Sequence, residues 1–190
     1  MSRAWARTAL WGMGCLLAAG CTTLSQEARD YIQTCDHRLQ PQPLCVVQPT
    51  PQARTLKAGE GARAMVDARC LWNRTGVLLE PGARYVVSAG PARDWRDKGI
   101  ESDLASGWTG TIASALERIA RLFARDSHSP MYSLVGARGK EAADYVLIGH
   151  GRTIEGTGQA PVELQAFAND WRAMYGNNHG CVELTILREK

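Results

Sequence analysis

Between Phe167 and Gly180 the chain gathers side-chain oxygens at short spacing: Asp170, then Asn177 and Asn178, with Gly176 and Gly180 beside them. One carboxylate and two amide carbonyls are hard donors, and the glycines let the backbone fold tightly enough to bring them together. Such a set suits calcium, which takes roughly six to eight oxygens in irregular geometry, whereas zinc favours nitrogen and sulfur. Three side chains do not fill that shell. Backbone carbonyls, water or the vicinal hydroxyls of a sugar would supply the remainder. The same residues also suit a plain loop in which Asp170 bonds its own backbone, and the residue types alone leave both readings standing.

A loop of this kind needs a frame. In Val66, Ala68, Cys70 and Trp72 alternate positions are apolar while Asp67 and Arg69 fall on the other parity, which predicts a half-buried strand with Asp67 facing out. Val77 to Leu79 runs into the turn Glu80-Pro81-Gly82, and further strand-like runs follow at Tyr85–Val87, Met131–Val135, Tyr145–Ile148, Val162–Ala168 and Val182–Leu187. The pattern predicts a mostly β protein, an antiparallel sandwich. One segment departs from it: Ile112, Leu116, Ile119, Ala120 and Phe123 recur at helical spacing, with Glu117, Arg118, Arg121 and Arg125 between them. This amphipathic helix is expected to cap an open end of the sandwich; a membrane-surface or partner-binding face is the alternative.

The first twenty residues stand apart. Arg3 and Arg7 precede an apolar run from Thr8 to Gly20 that ends Leu17-Ala18-Ala19-Gly20-Cys21, the pattern of an export signal too short to span a bilayer. The small residues before Cys21 resemble the lipobox of bacterial lipoproteins, which implies cleavage after residue 20, lipidation of Cys21 with acyl chains such as palmitate, and anchoring to a membrane. In those proteins an aspartate after the cysteine retains the chain in the inner membrane, so Thr22 implies the outer membrane, lipid-anchored on its periplasmic face or at the cell surface. Residues 21–62 then form an anchor-proximal segment. Leu24, Ala28, Tyr31 and Ile32 predict a short helix there, and Pro41, Pro43, Pro49 and Pro51 a stiff spacer. Residues 63–190 form the β domain, with an insertion over about 91–130 that contains the helix.

Of six cysteines, Cys15 leaves with the signal and Cys21 takes lipid, so Cys35, Cys45, Cys70 and Cys181 remain. An even number in an oxidising periplasm predicts two disulfides. Cys35 and Cys45 are close in sequence and are expected to pair, which leaves Cys70 with Cys181, although three connectivities are formally open. Strand alternation sets Cys181 on the outward parity with Glu183 and Thr185, so that second pairing requires a bulge. No C-x₂-C zinc spacing occurs.

Lys and Arg total 22 against 19 Asp and Glu, too slight an excess for a nucleic-acid surface. The G-x-S-x-G, H-E-x-x-H, P-loop and G-x-G-x-x-G patterns are absent, and Gly149-His150-Gly151 has no serine to make a nucleophile elbow. The chain therefore reads as a binding protein, not an enzyme.

The segment from about Leu79 to Leu187 resembles the PA-I-like galactose-binding lectins. The resemblance is carried by Asn169-Asp170, Tyr175-Gly176-Asn177-Asn178-His179-Gly180 and the run Val182–Ile186, with support from Glu80-Pro81-Gly82, Ala89-Gly90, Leu134-Val135-Gly136 and Leu147-Ile148-Gly149. It implies a jelly-roll β-sandwich that binds carbohydrate or a glycoconjugate through Ca²⁺. It also implies calcium ligation by the side chains of Asp170, Asn177 and Asn178 and by the carbonyls of Met174 and Asp94. The sugar would share the ion through two hydroxyls and touch Asp170 and Asn177. Trp171 beside them, or Trp95 or Trp108, would stack on its apolar face unless these rings belong to the core. The long stretch between Gly90 and Met131 has no counterpart of the short His-Pro sugar loop of that family, and His179 replaces a small polar residue. The competing expectation is an envelope protein that keeps the sandwich as a scaffold for protein partners.

Overall fold

The computed structural model describes residues 25–35, 45, 52–139 and 144–189. The export signal, Cys21 and the four prolines of the spacer lie outside the described residues. Among the described residues twelve strands and two α-helices follow one another as α1 (Gln26–Thr34), β1 (Arg54–Thr55), β2 (Gly61–Asp67), β3 (Asn73–Leu79), β4 (Arg84–Ala89), β5 (Arg93–Asp97), β6 (Ile100–Asp103), β7 (Gly107–Trp108), α2 (Thr111–Ala120), β8 (Leu134–Arg138), β9 (Tyr145–Leu147), β10 (Gly151–Glu155), β11 (Val162–Ala168) and β12 (Asn178–Arg188).

The strands form two sheets, one of order β1-β3-β11-β8-β9 and one of order β10-β4-β12-β5-β6-β7, with β2 paired to β12 as well. All pairings are antiparallel except β1 with β3. This is the β-sandwich that the alternating runs predict. Along β12, Val182, Leu184 and Ile186 are buried while Glu183, Thr185 and Leu187 are exposed, and the inward set meets Leu164, Ala166 and Ala168 of β11 in one core. The opposite face of β11 is covered too: Phe167 packs edge-on against Trp72 and Tyr145.

The stretch over about 91–130 contributes β5, β6 and β7 to a sheet, and residues 54–62 contribute β1 and the start of β2. Several expectations are corrected. Asp67 does not face out. The strand ends there, and its buried carboxylate accepts hydrogen bonds from the Tyr31 hydroxyl at 2.7 Å and from the Arg69 guanidinium at 2.9 Å, which fastens α1 to the sandwich. The disulfides are Cys35–Cys70 and Cys45–Cys181, not Cys35–Cys45 and Cys70–Cys181. The β12–β5 register shifts between His179 and Cys181, and Gly180 has φ +98°. Cys181 keeps the parity of Glu183 and Thr185 in its unbroken register with β2, and it is buried all the same, joined to Cys45.

Helix α2 does not cap the sandwich through its stripe. Leu116 and Ile119 are more than half exposed, and Leu122 and Phe123, in the 3₁₀ turn that continues the helix, are more exposed still. The helix is held by its end: the Trp171 indole donates to the Ala120 carbonyl at 2.8 Å, and the Trp171 ring lies 5.1 Å from Phe123. No helix among the described residues is long and apolar enough to cross a membrane.

Candidate functional site

At the end of β11 the backbone is gripped by Asn169, which is fully buried. Its amide nitrogen donates to the carbonyls of Asp126, Ser129 and Pro130 at 2.8 to 3.0 Å, and its oxygen accepts the Asp126 N–H at 2.9 Å. The segment that follows α2 is thereby stitched to the strand end. Arg125 adds to this: its N–H reaches the Asp170 carbonyl at 3.2 Å, its guanidinium lies 3.5 Å over Phe167 and 4.1 Å over Trp72, and it donates to the Tyr175 hydroxyl at 2.9 Å. Tyr175 in turn donates to the Ala168 carbonyl at 2.5 Å. The position of Asp170 is thus set from both sides of the chain.

Asp170 is 2% exposed. One carboxylate oxygen accepts the Trp171 N–H at 2.6 Å, and the other, Oδ2, is buried without a partner. Asn177 ends a single 3₁₀ turn and Asn178 opens β12. The Asn177 amide nitrogen donates to Asp97 Oδ1 at 3.1 Å, and the Asn178 amide nitrogen donates to the Ala68 carbonyl at 3.0 Å. Those two commitments orient the amides and leave each carbonyl oxygen buried and unpartnered. Of the four side-chain oxygens that are buried and unpartnered among the described residues, one is on Gln165 and the other three belong to Asp170, Asn177 and Asn178, the residues singled out by type and spacing.

The residue that sequence reasoning missed is Asp97. It lies on β5 directly opposite Asn178, is 7% exposed, and also accepts the Trp108 indole N–H at 3.2 Å. A signal was present: Asp97 shares strand parity with Trp95, which is buried in the core and donates to the Tyr132 carbonyl. Asp94 lies three residues earlier, at φ +51°, with its carboxylate on Arg96 at 2.6 Å and its carbonyl facing Gly180. The Met174 carbonyl accepts the Asn177 N–H at 3.1 Å, which leaves its second lone pair. Trp171 is half-buried at the rim. His150, largely exposed, pairs with Asp103 at 2.8 Å, and His179 is half-buried on β12.

Burial dominates the electrostatics. It raises the Asp170 carboxyl to about 8, helped by the nearby Asp97 charge and opposed by the Trp171 N–H and the Asn178 amide. Asp97 is also raised, chiefly by burial, against the stabilising donors Trp108 and Asn177. Two buried carboxylates that resist ionising, next to unpartnered amide oxygens, make a pocket that a positive charge would relieve. The donors are all oxygen, a set suited to a hard cation of calcium type. Among the described residues no group of three or more His, Cys, Asp or Glu is placed to hold a metal; two of the three unpartnered oxygens here are amides.

No protein-family model matches this chain, and no curated protein matches it. Among solved structures it is similar to the N-terminal domain of EclA, described as a PllA-like lectin, at 21% identity and a TM-score of 0.48, over 67% of this chain and 96% of that one.

Proposed function

We propose that this chain is a calcium-dependent carbohydrate-binding protein, lipid-anchored at Cys21 to the outer membrane. The observation that carries the reading is the trio of buried, unpartnered oxygens on Asp170, Asn177 and Asn178. Leaving a buried polar atom unpaired costs about 1 to 3 kcal/mol, so three at one place favour a ligand that satisfies them together. Calcium bound there would offer open coordination positions to two vicinal hydroxyls of a sugar. The chain's own part is to hold the donors still: Asn169 and Arg125 fix Asp170, the β5–β12 pairing sets Asn178 against Asp97, and the amide nitrogens of Asn177 and Asn178 aim their oxygens.

Calorimetric titration of the purified protein with calcium, followed by a glycan panel in calcium and in chelator, tests this. We expect one ion per chain and glycan binding that chelator abolishes. Calcium uptake with no glycan bound would reduce the ion to a structural one, and no uptake would leave a scaffold for protein partners. The anchor is tested separately: Cys21→Ser should move the protein from the membrane to the soluble fraction.

A further inference from the structure

Of the five large apolar side chains exposed among the described residues, four lie on α2 and the 3₁₀ turn after it: Leu116, Ile119, Leu122 and Phe123, at 55%, 56%, 72% and 63% exposure. They share one arc of the helix, and Glu117 lies across from it. Glu117 is half-buried and accepts the Met131 N–H at 3.2 Å, while the Trp171 indole donates to the Ala120 carbonyl at 2.8 Å, so the back of the helix is bound to the domain. A surface helix ordinarily turns its apolar stripe to the core; this one turns it to solvent.

Leu71 ties this element to α1. Its N–H donates to the Ile32 carbonyl at 3.0 Å, and its own carbonyl accepts the guanidinium of Arg125, two residues beyond Phe123. Cys21 stands four residues before Ser25, at most about 14 Å of extended chain, and helix as far as Ile32 adds about 10 Å. Acyl chains on Cys21 therefore hold a bilayer within roughly 25 Å of Ile32, less than the roughly 40 Å breadth of a domain this size. Charge suits headgroup phosphates: Arg118 is exposed and in no ion pair among the described residues, and Arg121 lies 3.8 Å from Glu117, the one acid on the helix. Leu, Ile and Phe on one side with arginine on the other is the make-up of a helix that lies in a membrane interface, its apolar side about 5 to 10 Å deep. A second copy of the chain fits less well, since four side chains fall short of the roughly 20 to 30 residues a side of a stable protein interface.

We propose that the stripe on α2 and its 3₁₀ turn is a non-covalent membrane contact, seated in the phospholipid surface of the bilayer that holds Cys21. This rests on the lipid-anchor reading and adds an orientation to it. A tether alone leaves the domain free to swing, whereas a tether and an interfacial helix together fix how the sandwich stands on the membrane, the first raising the effective concentration of the second.

The test uses the acylated protein carrying benzoylphenylalanine in place of Leu122, reconstituted in vesicles of phosphatidylethanolamine and phosphatidylglycerol, irradiated, and weighed by mass spectrometry. Position 122 should give lipid adducts, and the same probe in place of Arg152, exposed on β10, should give few or none. Leu116→Asp with Ile119→Asp should abolish the adduct from position 122 while the acyl chains keep the protein on the vesicles; both side chains are exposed, so the thermal midpoint should not move. Equal labelling from the two positions, no lipid adduct at 122, or a cross-link there to a second copy overturns the proposal and leaves the anchor standing. A purified chain whose mass shows no acyl group overturns the anchor and this inference with it.

Discussion

Replacing Asp170 by asparagine should stabilise the metal-free protein at pH 8, the reverse of the usual effect of altering a buried polar residue. The side chain is nearly isosteric, and its oxygen can still accept the Trp171 N–H. What disappears is a carboxylate whose folded pKa is raised from 3.8 to about 8, mainly by burial. The sign follows from proton counting. Between the two values the folded state holds a proton that the unfolded state has lost, so stability falls as pH rises through about 4 to 8, by at most about 1.4 kcal/mol per pH unit. Over the full window the ceiling is about 6 kcal/mol, and sharing of charge with Asp97 lowers the observable part to about 2 to 4 kcal/mol.

Thermal unfolding in chelator across pH 4 to 9 reads this directly. For a chain of this size each kcal/mol moves the midpoint by about 2 to 4 °C, so Asp170→Asn should exceed the parent clearly at pH 8 and match it near pH 4. Asp97 leaves a smaller slope of its own. Calcium should erase or reverse the order at pH 8, since at a thousandfold excess over Kd it adds about 4.1 kcal/mol to the parent and nothing to a variant that does not bind it. A parent whose metal-free stability is flat from pH 5 to 8, or an Asp170→Asn protein less stable than the parent at pH 8, would refute the claim that the site carries an uncompensated buried charge.

Non-reducing peptide mapping should recover Cys35 joined to Cys70 and Cys45 joined to Cys181, across separations of 35 and 136 residues; each link is worth about 4 kcal/mol on loop-entropy grounds, and a peptide joining Cys35 to Cys45 would overturn the pairing. Gly180→Ala should cost about 2 to 4 kcal/mol in thermal unfolding, because the residue has φ +98° and an added Cβ would sit 2.4 Å from the Asp94 carbonyl oxygen. The same variant should weaken calcium uptake by disturbing the register that sets Asn178 opposite Asp97; unchanged stability and uptake would show that the bulge does not govern the site.

What the sequence made legible was whatever repeats with a fixed period. Val162–Ala168 forms β11 without adjustment, and the alternation of Val182, Leu184 and Ile186 states which face of β12 is inward. The trio Asp170, Asn177 and Asn178 was legible by chemical type, since few loops place that many hard oxygens so close together. Reading failed where the partner is distant. Cys181 keeps its outward parity and is nonetheless buried, because Cys45, 136 residues earlier, bonds to it, and strand alternation carries no trace of such a long-range partner. The end of β2 puts Asp67 into a buried network with Tyr31 and Arg69, partners 36 and 2 residues away, and long-range polar partners leave no local trace. Asp97 was hidden for a related reason: its role comes from lying across a sheet from Asn178, some 80 residues on.

The excursion between β7 and β8 reads in sequence as part of an insertion, yet its hydrogen bonds tie it to the residues of the site. Asn169 spends all its amide capacity on residues 126, 129 and 130, and Arg125 bonds the Asp170 carbonyl while stacking on Phe167. A carboxyl held only by its own turn would be free to swing out to water as it ionises, because burial penalises its charged form. Here the excursion opposes that motion. The long segment between Gly90 and Met131 therefore acts in two ways at once: β5 sets Asp97 opposite Asn178, and the turn after α2 holds the Asp170 backbone in place against the burial cost that a cation would relieve.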